Sequence, residues 1–499
     1  MNKILMMIVD GIGINDNEVG NAIKEAQMSN FNDLLDDYPH SLLNATGDEI
    51  GLPDGVTADA EIAHVAFGAG KKVKQDVTIC NEVLGSTLIE KNDLLVSIVK
   101  KLNKTGGTLH LAGLVSDGKI SSDIRYIENF ISHLKNMGLE KMYFHAITDG
   151  VDSSEGAVSF LDRITNAMQE NELGRLATIC GRSFAMDKEN NWNKTKVYTD
   201  LLFNGVGARI RKYQTGIDAC YKRKLTDDMI PPITLVDDPT IKSGDMFLWL
   251  NFQVDTSRQF LKAITDPDFS IYQVNKPENV DFFSLLEVDN IDIDFLIEDD
   301  DEFYSIGTYF SNLGLTQARI ATKERYPMVT YFFDGYSNEK LDLCDSFLIP
   351  SLQDDMAYQE TIDEIVKQTV KCIEKDYNFI LVNIPFADLI SRTGTHEELL
   401  FVLRCIDQAI GKIFESVEDN FYKMFLTSSH GNVEEMVDKV GTEDRNMTSN
   451  PVPFIITDSR VKLKNKGDIT MVAPTLLKYM DIALPKQMSQ VRTLIEDEG

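Results

Sequence analysis

Short apolar runs that end in polar, mostly acidic, residues recur along the chain. KILMMIVDG ends at Asp10, TLHLAGLVSDG at Ser116 and Asp117, and KMYFHAITDG at Asp149. LATICGR ends at Arg182, FLWLNFQ at Asn251, NFILVNIPFAD at Asp388 and YKMFLTSSHGN at His430. Apolar runs of this length without alternation predict strands buried on both faces, as in parallel sheets. Stretches with helical spacing of apolar positions lie between them, SSDIRYIENFISHLKNMG and YQETIDEIVKQTVKCIEKDYN among them. Strand–helix alternation predicts an α/β chain. Ligands of such sheets sit beyond the carboxyl ends of the strands, so the polar run ends are site candidates by position.

A chain of 499 residues exceeds one ordinary core and predicts two or three domains. Apolar residues make up 43% and charged residues 26%, an ordinary globular composition. The formal net charge of −30 changes the picture more. It argues against a nucleic-acid partner and against docking on anionic membranes, since both select Lys/Arg surfaces. No apolar run approaches the length of a membrane span, and the opening MNKILMMIVDG reads as a buried strand. The expectation is a soluble cytoplasmic protein. The six cysteines form no C-x-x-C pair, which leaves no zinc or redox motif. Two stretches read as boundaries: the basic GKKVKQDVT (70–78) and the acidic FLIEDDDEFYS (295–305).

The stretch GLPDGVTADAEIAH (51–64) has the shape of an active-site loop opening a helix. The residue placed to present a nucleophile there is Ala60, whose methyl group cannot attack. This loop belongs to a series of motifs in one order: VDGIG (9–13), GLPDG (51–55), EIAHVAFGAG (61–70), LAGLVSDG (111–118), HAITDGVD (145–152), GRLATICGRSFAMDKENNW (174–192), NPVPFI (450–455) and APTLL (473–477). With these motifs the chain resembles cofactor-independent phosphoglycerate mutases of the alkaline phosphatase superfamily, over nearly its whole length.

The resemblance implies an α/β architecture of two domains with parallel sheets. An alkaline-phosphatase-like, metal-site domain would be discontinuous, 1–74 and 301–499. A transferase-like α/β substrate domain, 77–298, would be inserted into it, with linkers near 75–76 and 299–300. The family reaction passes through a phosphoserine held by two divalent metals, manganese or magnesium. Against the family loop N-S-E-x-G-H, this chain has Asp59, Ala60, Glu61, Ile62, Ala63 and His64. Thr57, the nearest hydroxyl, lies too far along the chain to take over. Of the family's metal ligands, Asp10, Asp388 and His430 remain; Ala60, Ser429, Arg392 and Met447 occupy the other positions. A guanidinium has no lone pair for a metal, so Arg392 either pairs with carboxylates that a metal would neutralise or faces solvent. A rearranged site could draw on Asp10, Asp388, His430 and Asp444 for magnesium.

The resemblance also implies an anion clamp of arginines. Its remnants are Asp152, Arg182, Lys188 and Arg325, whereas Val151, Ser121, Gln253 and Thr256 stand where the family has Arg or His. His64 reads as structural, and the histidines other than His430 read as core or surface. The expectation is a mutase-like pseudoenzyme without bound cofactor, acting as a binding, regulatory or scaffolding protein. Its partner would be an unidentified protein, an active relative among the candidates. The alternatives are a divergent enzyme using the interdomain cleft for another reaction, and a working mutase or phosphatase with relocated ligands.

Overall fold

The computed structural model describes residues 2–52, 55–74, 76–288, 290–298, 303–350, 357–437, 441–488 and 492–496. Linker positions 75 and 299–300 lie outside the described residues. The chain divides into two compact units, Met1–Lys74 with Asp301–Gly499, and Gln75–Asp300.

The first unit is built on an eight-stranded sheet. Its spatial order is Cys344–Ile349, Gln317–Thr322, Phe379–Ile384, Ile4–Val9, Lys423–Thr427, Val452–Ile456, His40–Asn44 and Lys466–Asp468. The first five are mutually parallel; Val452–Ile456 runs antiparallel to both its neighbours. The strand Ile4–Val9 is central and wholly buried, as its unbroken apolar run requires. One face packs on helices that include His396–Asp419 and Ala357–Glu374, the other on Ala60–Ala69 and Val472–Tyr479. The helix Ala60–Ala69 presses so closely on the chain at Phe333 that a Cβ on Gly68 would lie 1.8 Å from the Phe333 carbonyl oxygen.

The second unit carries another eight-stranded sheet. Its parallel centre is Met246–Trp249, Leu109–Val115, Met142–Thr148 and Arg175–Gly181, side by side. The predicted strands all appear at these places or in the first sheet, and the predicted helices span Ile124–Asn136 and Ala357–Glu374. A polar chain crosses this second sheet inside the core. His110 Nε2 lies 3.2 Å from Asp245 Oδ2, His110 Nδ1 lies 2.9 Å from His145 Nε2, and His145 Nδ1 lies 2.8 Å from Thr178 Oγ1. The acceptor-only carboxylate fixes one direction: His110 Nε2–H donates to Asp245. Every ring nitrogen of both histidines has a partner, so they are satisfied core residues.

No helix among the described residues is long and apolar enough to cross a membrane.

Candidate functional site

Four adjacent parallel strands of the first unit deliver one cluster at their carboxyl ends. Asp10 follows Ile4–Val9, and Ser429 and His430 follow Lys423–Thr427. Arg325 follows Gln317–Thr322, while Asp388 and Arg392 sit one turn apart on the helix Phe386–Thr393, just after Phe379–Ile384. Gly11 makes the junction possible. Its φ is +92°, and a Cβ there would lie 2.8 Å from the backbone nitrogen of Asp388. The close approach lets Asp388 N–H donate to the Asp10 carbonyl at 3.2 Å.

Both carboxylates are buried and fully partnered. Arg325 Nη2 reaches Asp388 Oδ2 at 2.5 Å, and Arg392 Nε reaches Asp388 Oδ1 at 2.8 Å. Ser429 donates to Asp10 Oδ1 at 2.7 Å, Asn383 donates to Asp10 Oδ2 at 2.9 Å, and Arg325 Nε lies 3.9 Å from the same oxygen. Burial alone would push the Asp10 carboxyl up; His64, the Arg325 guanidinium and the Asn383 and Ser429 hydrogen bonds outweigh it and hold it below the usual carboxylate range. Of the two readings open for Arg392, the structure takes the ion pair.

The helix Ala60–Ala69 begins beside this cluster. Asp59 caps it by accepting from Ile62 N–H at 2.9 Å, with the methyl group of Ala60 at the first helical position. His64 Nδ1 lies 2.7 Å from the Ala60 carbonyl oxygen, which fixes the proton on Nδ1 and leaves the lone pair on Nε2. Burial draws the His64 imidazole below its usual range, against the pull of Asp10. His430 is held alike, Nδ1 at 3.2 Å from the Gly431 carbonyl oxygen, with Nε2 3.6 Å from Asp388 Oδ1. Neither Nε2 has a hydrogen-bond partner.

The residues do not fit a divalent metal pair. Among the described residues no group of three or more His, Cys, Asp or Glu could hold a metal ion. Guanidinium nitrogens reach both oxygens of Asp388, where a metal would need lone pairs. Asp444 is turned elsewhere, accepting from the backbone and side chain of Asn446. Met447 offers only a thioether, a poor donor for manganese.

Sequence reasoning did not single out Asn383, nor Glu434, a buried carboxylate that accepts from Gly13 N–H at 3.0 Å and Asn432 N–H at 2.8 Å. Glu434 ties the loop after the first strand to the loop after His430. The one signal for Asn383 was its place inside the apolar run NFILVNIPFAD, where a polar side chain needs a partner. Glu434, beyond the run ends, gave no such signal.

The second unit gathers the expected anion-binding remnants separately. Arg182 Nη1 donates to Asp149 Oδ1 at 2.5 Å and to Asp152 Oδ2 at 2.6 Å. Ser116 donates to Asp149 Oδ2 at 2.5 Å. Lys188 turns to Asp255 at 2.8 Å. Ser121, at a family His position, donates to Gln253, at a family Arg position. Arg325 belongs to the first unit's carboxylate cluster and not to this one.

Residues 80–290 match the family model described as the BPG-independent PGAM N-terminus. The chain is 32% identical to a 2,3-bisphosphoglycerate-independent phosphoglycerate mutase of Clostridium perfringens, over 97% of this chain and 98% of the relative. It is 32% identical to the enzyme of the same name from Clostridium tetani, over 99% and 100%. A crystal structure of Leishmania mexicana phosphoglycerate mutase at low cobalt concentration shares the fold, with a TM-score of 0.73 at 23% identity, covering 100% of this chain and 98% of that one.

These full-length matches to proteins named as mutases overturn the expectation of a pseudoenzyme acting by binding, regulation or scaffolding. A physical observation agrees. A buried ion cluster can be exchanged for apolar residues without loss of stability, so a chain freed from chemistry has no structural need of one. Here Asp10 and Asp388 stay buried and charge-matched.

Proposed function

The chain belongs to the 2,3-bisphosphoglycerate-independent phosphoglycerate mutase family, and from that premise we propose that it is a working, divergent enzyme of the mutase class, acting on a phosphoglycerate-type ester. The observation that carries the reading is the retained cluster of Asp10, Asp388, His430 and His64 at the carboxyl ends of the parallel strands, in a chain alignable with mutases from end to end. Ala60 carries no phosphoryl group, so transfer does not pass through that side chain.

Each remaining group has a defined capacity. His64, drawn below its usual range and with its proton on Nδ1, presents an Nε2 lone pair able to take a proton from a substrate hydroxyl. Arg325 and Arg392 hold the Asp388 carboxylate in place from both of its oxygens. Arg182 in the second unit is held by two carboxylates that orient its planar donor fork, the geometry suited to phosphate or carboxylate.

The test is conversion of 3-phosphoglycerate to 2-phosphoglycerate by the purified chain, followed by phosphorus NMR without added 2,3-bisphosphoglycerate. Interconversion is expected. No conversion, with or without added manganese, would overturn the reading.

A further inference from the structure

The Asp10–Asp388 centre is electrically closed by the chain itself. Two carboxylates face two guanidinium groups. Asp388 Oδ1 receives Arg392 Nε and Nη2, both at 2.8 Å, and Asp388 Oδ2 receives Arg325 Nη2 at 2.5 Å. Asp10 receives Ser429 and Asn383, with Arg325 Nε at 3.9 Å. All four carboxylate oxygens therefore already face a donor. A divalent ion would have to displace Arg325, whose side chain is 13% exposed, and that cation would lose its partners inside the protein. The unpartnered buried side-chain atoms of this centre's own residues, among those described, include His64 Nε2, His430 Nε2 and Asn383 Oδ1. Two imidazoles and one amide oxygen, with no carboxylate oxygen left open, are a poor match for the oxygen-rich shells of magnesium or manganese.

We infer that Arg325 and Arg392 replace divalent metal as the counter-charge of this centre, and that the chain takes up no manganese or magnesium there. The substitution is of kind as well as charge. A metal ion is an exchangeable cofactor with vacant coordination positions, whereas a guanidinium is permanent, planar and offers only hydrogen bonds. The centre would keep its charge balance in the presence of chelators. The inference goes beyond the mutase reading and is tested apart from it, because metal uptake is measured without turnover.

The full-length protein is incubated with manganese chloride, desalted and analysed for metal by mass spectrometry, and its thermal midpoint is compared in EDTA and in millimolar manganese. The expected result is no stoichiometric manganese and an unchanged midpoint. A native site filled to about 100 times its Kd would instead raise the midpoint by several degrees, and that outcome, or one bound ion per chain, overturns the inference. Arg392→Ala supplies the second arm. Its side chain is 43% exposed, so the variant should fold while Asp388 Oδ1 is freed. Its affinity for manganese, read by electron paramagnetic resonance, should exceed the parent's by about tenfold, the range over which neighbours of a metal site tune affinity. Equal affinity in the two proteins would mean that the guanidinium does not hold the metal's place, and would sink the inference.

Discussion

Arg325 and Asp388 meet at 2.5 Å although 63 residues separate them in the chain. Arg392 meets the other oxygen of the same carboxylate from only four residues away. The two cations differ in exposure, 13% against 43% of the side chain, and this difference decides their energetic weight. Removing Arg325 leaves Asp388 and Asp10 short of charge inside the protein, so Arg325→Ala should cost about 3–5 kcal/mol. Arg392→Ala, at a half-exposed pair, should cost at most about 1 kcal/mol. Urea denaturation of the two variants measures both; equal losses would contradict the buried-pair argument.

Ala60→Ser returns a hydroxyl to the start of its helix without returning the metal ligands lost at Ser429, Arg392 and Met447. A serine needs a base or a metal to become a nucleophile. His64 Nδ1, one turn along the same helix, already faces the backbone carbonyl of residue 60. Isomerase turnover of Ala60→Ser should therefore stay within about twofold of the parent's, with no phosphoserine detected by mass spectrometry. A large gain in rate would show that an activating group is present after all.

Arg182 spans Asp149 and Asp152 with one nitrogen, and a lysine has no fork with which to do so and still face a substrate anion. Arg182→Lys should raise KM for 3-phosphoglycerate by about tenfold with kcat little changed, the signature of lost uniform binding. Steady-state kinetics on the purified variant decide it. An unchanged KM would remove Arg182 from the substrate contacts.

The buried chain Asp245–His110–His145–Thr178 makes the second unit acid-sensitive. Burial, with His110 beside it, holds the His145 imidazole well below its usual range. The unfolded chain thus binds a proton at His145 that the folded chain refuses. The resulting loss of stability begins near the ordinary histidine value, about pH 6.5, and grows as pH falls. Burial pushes the Asp245 carboxyl up, but hydrogen bonds from His110 and from the backbone at Thr108 and Lys242 outweigh it and lower it. That contribution is full above about pH 4 and is lost as pH falls through the lowered folded value, which adds a second, more acidic loss. Urea midpoints should decline from pH 7.5 to pH 5, and His145→Gln, uncharged throughout, should flatten that part of the profile at a lower stability. A flat parent profile would rule out the lowered His145 imidazole.

The sequence by itself determined the α/β class, the central strands and the positions that border a site. Unbroken apolar runs are compatible only with strands covered on both faces, and parallel strands put their polar run ends on one edge. Asp10, Asp149, Arg182, Asp388 and His430 were legible for that reason. So was the missing hydroxyl at Ala60, because it is a matter of composition at one position. The partners of these residues were not legible. Arg325 resembled a substrate contact in the sequence, yet it sits between Asp388 and Asp10. Ser429 resembled only a lost ligand, yet its hydroxyl holds Asp10. Which donor reaches which carboxylate depends on the spatial order of Gln317–Thr322, Phe379–Ile384, Ile4–Val9 and Lys423–Thr427. That order brings together segments from both ends of the chain, and it is set by long-range packing of the sheet against its helices, which no local pattern encodes.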